Sequence, residues 1–270
     1  MIYGIICAMN ICLFSVDEIE KPLSLNDERG VHILNVLHKK EGESFFAGII
    51  NGSSGIATIT KITSNDIEYT FTPKNDGEKP LCPLKMIIGF PRPIQLKRLL
   101  RDMASIGVEE VFLIGTELGE KSYMKSTLSS HDAAYKMLLD GTVQAASTYI
   151  PSLSILRDLK ECVSVMNRAP NASSVVLKVA LDNVNPDTSL YSALKESCFG
   201  QKGVCQGGEN QKRGSVVAAI GSERGWTDNE RAVFKENGFL RCGMGSRVMR
   251  TETASTVAAS VIMAECGWLD

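Results

Sequence analysis

The run Val216-Val217-Ala218-Ala219-Ile220 constrains this chain most, because five apolar residues follow one another with no polar interruption. A strand with two apolar faces must be covered on both, which is the pattern of a parallel sheet rather than a half-solvated one. The run enters a glycine turn, Gly221-Ser222-Glu223-Arg224-Gly225-Trp226. Thr227 and Glu230 then stand at capping-box spacing, which predicts a helix opening there and closing at Gly238. Phe239 to Cys242 reads as another short strand, and Gly243 and Gly245 as a second turn where backbone can approach a ligand. From Thr251 to Glu265 the chain is rich in Ala, Ser, Thr and Val, and Ala254, Val257, Ala258, Val261 and Ile262 recur at helical spacing. Small side chains there let other backbone pack close. Two glycine turns, each after a strand and near one helix start, suit a small ligand held mainly by backbone groups. Taken singly, either turn is more readily a turn and nothing more, since turn glycines are common; the two together are more specific.

The same alternation extends upstream. Leu84 to Phe90 reads as a strand, Pro91-Arg92-Pro93 leads into a helix from Ile94 to Ile106, and Val108 to Ile114 is the next strand. A strand–helix–strand crossover implies parallel pairing. Leu96, Leu99, Leu100, Met103 and Ile106 form the helix's apolar face. A second helix is expected over Ser130–Ser147, then strand Leu153–Leu156, helix Leu159–Asn167 and strand Ser174–Leu181. Asp182 to Asn185 follows that strand's carboxyl end, the usual ligand edge of open α/β sheets. Cys198 to Arg213 reads as a surface loop. Ahead of all this, Met1–Phe14 reads as a strand, with Met9 an alternative start. Asn26–Leu37 reads as a helix with Val31, Leu34 and Leu37 inward. Three strands follow, Ser44–Ile50, Gly55–Ile62 and Ile67–Thr72, the first two joined by the hairpin signal Asn51-Gly52-Ser53-Ser54-Gly55. Thr72 to Pro80 is a polar linker. The expected organisation is a small antiparallel sheet or barrel over residues 1–76 and an α/β domain over 80–270.

Composition removes several function classes. The net charge of −2 over 270 residues gives no global basic field, so any RNA contact must come from a local patch. Lys97, Arg98 and Arg101 offer one on the predicted helix, with a merely solvated surface the competing explanation. The eight cysteines contain no Cys-x-x-Cys pair and the three histidines stand apart, so no metal site is expected. Scattered thiols on apolar runs fit a reduced, cytoplasmic protein. The apolar start is too short to span a membrane. Gly243-Met244-Gly245 continues as Ser246-Arg247-Val248, so no dinucleotide fingerprint is present.

The segment Met244-Gly245-Ser246-Arg247-Val248-Met249-Arg250-Thr251-Glu252-Thr253-Ala254 resembles the Leu-Gly-x-Arg-x-Leu-Arg-x-Glu-Thr-Ala signature of the ribosomal RNA uridine methyltransferases of the SPOUT superfamily, the small-subunit methyltransferase E family. Gly221-Ser222-Glu223-Arg224-Gly225 resembles that family's Gly-Pro-Glu-Gly-Gly, with Ser for Pro and Arg for Gly. His32-Ile33-x-x-Val36-Leu37 resembles the entry to its N-terminal barrel, and Gln144 and Pro151 match its helix end before Val-Pro. Val143 and Ser147 replace Glu and Arg there, and His38 replaces an Arg. The resemblance implies a PUA-like RNA-binding β-barrel and an α/β domain with a deep trefoil knot. It implies S-adenosyl-L-methionine as cofactor, held by Gly221, Ser222, Glu223, Gly225, Met244, Gly245, Arg247 and Val248. It implies a homodimer methylating N3 of a uridine in small-subunit (16S) ribosomal RNA or the subunit particle, with RNA contacts at Arg92, Lys97, Arg98, Arg101 and Gln144. Arg250 is the candidate to stabilise the deprotonated uracil, and Glu252 a weaker candidate base whose alternative is a helix-dipole partner. The departures leave a second possibility open: a paralogue that keeps the cofactor knot and only binds RNA.

Overall fold

A computed structural model describes residues 11–74, 80–168, 175–197 and 214–269. The alternative start, most of the expected linker and the expected loop from Cys198 to Arg213 lie outside the described residues. The chain divides into two compact units, Met1–Pro80 with Leu139–Ile150, and Leu81–Leu138 with Pro151–Asp270.

The first unit carries β1 (Cys12–Phe14), β2 (Leu23–Ser24), α1 (Glu28–Val31), β3 (Ser44–Ile49), β4 (Ser54–Ile62) and β5 (Asp66–Pro73). Their sheet order is β1-β3-β4-β5-β2, with β1 parallel to β3 and the other pairs antiparallel. Alternation along β4 places Ala57 and Ile59 in the core with Phe14, Phe45 and Ile67, while Ile56 faces out. A bulge between Ile59 and Lys61 resets the register so that Ile62 pairs with Ile67. The hairpin turns at Asn51, whose φ of 55° is left-handed. Its loop is held by the later segment: the Asn51 amide donates to the Thr148 carbonyl at 2.8 Å, and the Ile150 amide to Asn51 Oδ1 at 3.0 Å.

The helix expected over Asn26–Leu37 keeps Leu34 packed on the core but turns the rest of its inward face. It begins as α1, capped by Asp27, and continues as a π-helical turn over His32–Val36. Gly30 and Ile33 are buried, while Val31 is 42% and Leu37 36% exposed. The wider turn adds a residue to the period and rotates the apolar positions. Gly30 lies so close to the Ser24 carbonyl that no side chain fits.

The second unit contains β6 (Cys82–Gly89), α2 (Pro93–Ile106), β7 (Val108–Ile114), α3 (Lys121–Met124), the start of α4 (His131–Gln144), β8 (Ser152–Leu156), α5 (Leu159–Arg168), β9 (Val175–Leu181), β10 (Thr188–Ser189), α6 (Leu190–Glu196), β11 (Ser215–Ile220), α7 (Asp228–Glu236), β12 (Leu240–Gly243) and α8 (Thr251–Glu265). The described strands form one sheet, β10-β12-β9-β11-β6-β7-β8, and every pairing is parallel. The fold is α/β. β11 lies between β9 and β6 and all six of its residues are buried, as its unbroken apolar run requires. Val217 and Ala219 face a cluster built with α5 and α7, including Cys162, Trp226 and Phe234. Alternation turns Val216, Ala218 and Ile220 to the other face, where α8 packs on β6, β11 and α2. Leu96, Leu99, Leu100 and Met103 are fully covered on α2, as their spacing predicts.

The face of α8 departs from expectation. Ala254, Ala258 and Ile262 are buried, but so are Ser255, Ala259 and Met263, while Val257 is 38% exposed. The arc is chosen by size: Ser255 fits because its hydroxyl donates to the Thr251 carbonyl at 2.8 Å, as Ser260 does to Thr256.

Candidate functional site

At the carboxyl edge of β9, β11 and β12 the ends of three strands enclose a cavity of about 200 Å³. Its first wall is the turn after β11. The Gly225 amide donates to the Ser222 carbonyl at 2.9 Å, and Gly225 takes a left-handed φ of 73°. A Cβ at Gly89, the last residue of β6, would lie 2.5 Å from the Ser222 nitrogen, so only glycine there lets the turn seat. The Thr116 hydroxyl donates to Ser222 Oγ at 2.8 Å, both residues being buried. The Thr251 hydroxyl donates to the Gly221 carbonyl at 3.1 Å, tying the head of α8 to the turn. Trp226 Nε1 donates to the Leu181 carbonyl at 3.0 Å. α7 opens directly after with the expected capping box: Thr227 Oγ1 accepts from the Glu230 amide at 3.2 Å, and Glu230 Oε2 from the Thr227 amide at 2.9 Å.

The second wall follows β12. Gly245 has a φ of 99° and a Cβ built on it would meet nothing within 4 Å. This wall hangs from Arg241, whose Nη2 pairs with Asp187 Oδ1 at 2.9 Å. Hydrogen bonding from that guanidinium holds the Asp187 carboxyl below the usual carboxylate range. Cys242 behind it is buried, and loss of water pushes its thiol up to about 12. The third wall is Leu181, Asp182 and Asn183 at the end of β9. The Asp182 side chain is 1% exposed, and a buried carboxylate there requires a partner. Arg231 Nε supplies it at 2.7 Å.

The family model described as RNA methyltransferase domain matches residues 77–263. Ribosomal RNA small subunit methyltransferase E of Treponema pallidum is 38% identical over 260 residues, covering 95% of this chain and 91% of that protein. The chain belongs to this methyltransferase family. The protein named ribosomal RNA small subunit methyltransferase E 1 in Borreliella burgdorferi is 28% identical over 256 residues, covering 95% and 98% of the two chains. Two solved structures share the fold. One is a ribosomal RNA small subunit methyltransferase E from Neisseria gonorrhoeae bound to S-adenosyl methionine, with a TM-score of 0.68, 19% identity and 95% and 97% coverage. The other is a probable rRNA-methyltransferase from Porphyromonas gingivalis, with a TM-score of 0.73, 18% identity and 97% and 100% coverage.

Within this family member, Gly221, Ser222, Glu223, Gly225, Met244, Gly245, Arg247 and Val248 all line the one cavity. Arg250 and Glu252 do not line it. Arg250 is the N-cap residue of α8, exposed, with no side-chain cap and no ion pair among the described residues. Glu252 is buried in the first turn of α8. Arg224 lines the cavity, is exposed, and is absent from the left-handed residues, so its place needs no glycine. Lys97 and Arg98 are exposed on α2, and Arg101 is half-buried. Arg92 is exposed and pairs with Glu223 of the cavity lining, its Nε lying 3.2 Å from Glu223 Oε1. Gln144 is exposed at the end of α4, in the part assigned to the first unit. Sequence reasoning missed Thr116 and Arg231, which fix the walls from far along the chain and carry no local signal. Among the described residues no helix is long and apolar enough to cross a membrane.

Proposed function

We propose that this chain transfers a methyl group from S-adenosyl-L-methionine to N3 of a uridine in small-subunit ribosomal RNA. The observation that carries this reading is the single cavity closed by both glycine turns in a chain of this family. The donor set fits the cofactor. Gly225 and Gly245 stand bare, since a Cβ on either would meet nothing within 4 Å. Leu181, Ile220 and Ala254 offer apolar wall to a flat base, and the turn backbones from 221–225 and 244–248 offer polar groups to its edge and ribose. The cofactor, when bound, supplies a methyl group on a cationic sulfur. The protein's own task is then positioning and charge. Uridine N3 must lose its proton, and the unpaired guanidinium of Arg250 is assigned to hold the charge that builds on the uracil. Glu252 is the weaker candidate for the proton; its burial at the head of α8 equally suits a partner for the helix dipole.

In the same reading the last segments of the second unit form a trefoil knot, and the five-stranded first unit is a PUA-like RNA-binding barrel. Lys97, Arg98 and Arg101 contribute to the RNA surface, and the protein works in the cytoplasm as a homodimer. The exposed Val257 of α8 supports a two-fold contact there; Ile262 and Met263 do not, because one chain already covers them. Labelled-methyl transfer onto unmodified small-subunit particles, run beside calorimetric titration of S-adenosylmethionine, tests the whole. Label at uridine N3 is expected. Measured cofactor binding with no transfer overturns the enzyme reading and leaves an RNA-binding paralogue.

A further inference from the structure

A second and larger cavity, of about 640 Å³, opens at the carboxyl edge of β6, β7 and β8. Its apolar lining comes from Phe90, Met124, Leu159 and Val233, and its charged lining from both signs. The two signs are not equally available. Glu117 Oε2 accepts from the Thr227 hydroxyl at 2.7 Å, and Glu230 Oε1 from the Glu117 amide at 3.0 Å. Asp158 accepts from Arg157 Nε and from the Glu161 amide, each at 2.9 Å. Glu120 Oε1 accepts from the Ser122 hydroxyl at 3.2 Å. Every carboxylate of the lining thus already holds a protein donor. The ammonium groups of Lys121, Lys125 and Lys160 hold nothing: all three residues are exposed and none forms a side-chain hydrogen bond or ion pair among the described residues.

This cavity shares its wall with the first. Thr116 lines the second cavity and hydrogen-bonds Ser222 of the first. Arg92 pairs with Glu223 of the first, and its pKa is raised by that carboxylate and then by Tyr123 of α3, the helix whose Lys121 and Met124 line the second. An apolar recess rimmed by unclaimed ammonium groups, beside a methyl-donor site, matches one kind of ligand. A nucleotide in single-stranded RNA presents a flat apolar base with anionic phosphates on either side.

We propose that this second cavity seats a nucleotide neighbouring the methylated one, its base against Met124, Leu159 and Val233 and its flanking phosphates on Lys121, Lys125 and Lys160. The assignment rests on the RNA methyltransferase reading above and adds to it a place for the substrate strand. Two lysines on α3 and its cap face one on α5, which suits phosphates on both sides of a base better than a lone terminal phosphate.

The test uses the full chain. In one arm the Met124 methyl group is isotope-labelled and followed by NMR against a short single-stranded uridine-rich oligonucleotide, uridine monophosphate and inorganic phosphate. The oligonucleotide is expected to shift it and the two small ligands to leave it in place. In the other arm K121Q/K125Q/K160Q is compared with the parent for RNA affinity across salt concentrations. The variant should bind RNA at least about tenfold more weakly, with a log–log salt slope shallower by about 1.4, from roughly 0.7 for each of the two flanking single-strand phosphates. Its affinity for S-adenosylmethionine should be unchanged. A Met124 signal unmoved by saturating oligonucleotide, or moved equally by uridine monophosphate, overturns the proposal, as does a parental salt slope in the variant. A parent chain that transfers no methyl group while its Met124 signal shifts as described defeats the enzymatic reading and leaves the RNA seat standing.

Discussion

The turn after β11 and the turn after β12 close the same cavity, yet the fold grips them very differently. Gly221 and Ser222 are buried and are fixed by the hydroxyls of Thr251 and Thr116. Gly245, Ser246, Arg247 and Val248 are exposed and form no hydrogen bond within the chain among the described residues. The likeness to the family signature runs the opposite way, closest across Met244–Ala254 and broken at Ser222 and Arg224. Gly245, Arg247 and Val248 of the looser turn line the cavity without being tied to the rest of the chain, which leaves them free for the cofactor contacts proposed above. The departures sit where the structure absorbs them. Ser222 gains a buried hydroxyl partner, and Arg224 stands exposed on the cavity lining with a backbone that needs no glycine.

That contrast breaks first at Arg250. Arg250→Ala should lower methyl transfer by about 10²- to 10³-fold with cofactor affinity nearly intact, the usual cost of one charge-stabilising donor. Arg250→Lys should recover only part, since a point charge lacks the planar fork. Steady-state transfer rates and calorimetry decide it; equal losses in rate and cofactor affinity would move Arg250 into the binding site. Next comes Gly245→Val. A branched residue at a φ of 99° is strained by roughly 1–3 kcal/mol, so cofactor affinity should fall about 10- to 100-fold. The urea midpoint should hardly move, because without cofactor the 245–248 loop, which forms no hydrogen bond among the described residues, can relax and so avoid the strain until the ligand demands its bound shape. Thr116→Val should do the reverse. It strands the buried Ser222 hydroxyl and should cost about 1–3 kcal/mol of stability, with only a few-fold loss of cofactor affinity. Adding Ser222→Ala should return part of that cost in a double-mutant cycle, and strict additivity would show that the two hydroxyls do not work together. The smallest effect belongs to Asp187, the anchor of the looser turn. Its carboxyl is depressed by Arg241, so it contributes stability above the unfolded value near 3.9, and loses it as pH falls through the lower folded value. Asp187→Asn should flatten the acid limb of the urea midpoint by less than about 1 kcal/mol. An unchanged limb between pH 5 and pH 2 would remove that anchor from the account.

Local pattern made β11, the capping box of α7 and both glycine turns legible, because each depends on residues a few places apart. Period alone says which side chains share a face; it does not say what covers them. On α8 that gap reversed Val257 and Ser255, since the sheet and α2 approach closely enough to favour a hydroxyl over a branched chain. After α1 the π-helical turn over His32–Val36 buries Ile33 beside Leu34 and leaves Val31 and Leu37 exposed. Thr116, 106 residues from Ser222, and Arg231, 49 residues from Asp182, left no trace in the pattern, because a long-range hydrogen bond has no period. The second cavity was invisible for the same reason. Lys121 and Lys160 lie 39 residues apart in sequence, and only the sheet gathers them with Lys125 at one edge.

The hydroxyl of Thr251 reaches Gly221 from thirty residues downstream, and this sets an order of events during synthesis. A nascent chain that has just released Gly221–Gly225 from the ribosome owns a turn without its counterpart, for Met244 to Ala254 are still inside the exit tunnel. Folding proceeds by whole units as they emerge, and here the unit waits for α8. Thr251 and Ala254 are therefore the last of the cavity's lining to be made. A chain stopped short of Thr251 would hold the first turn without the residues that close the cavity over it, however well the sheet had formed.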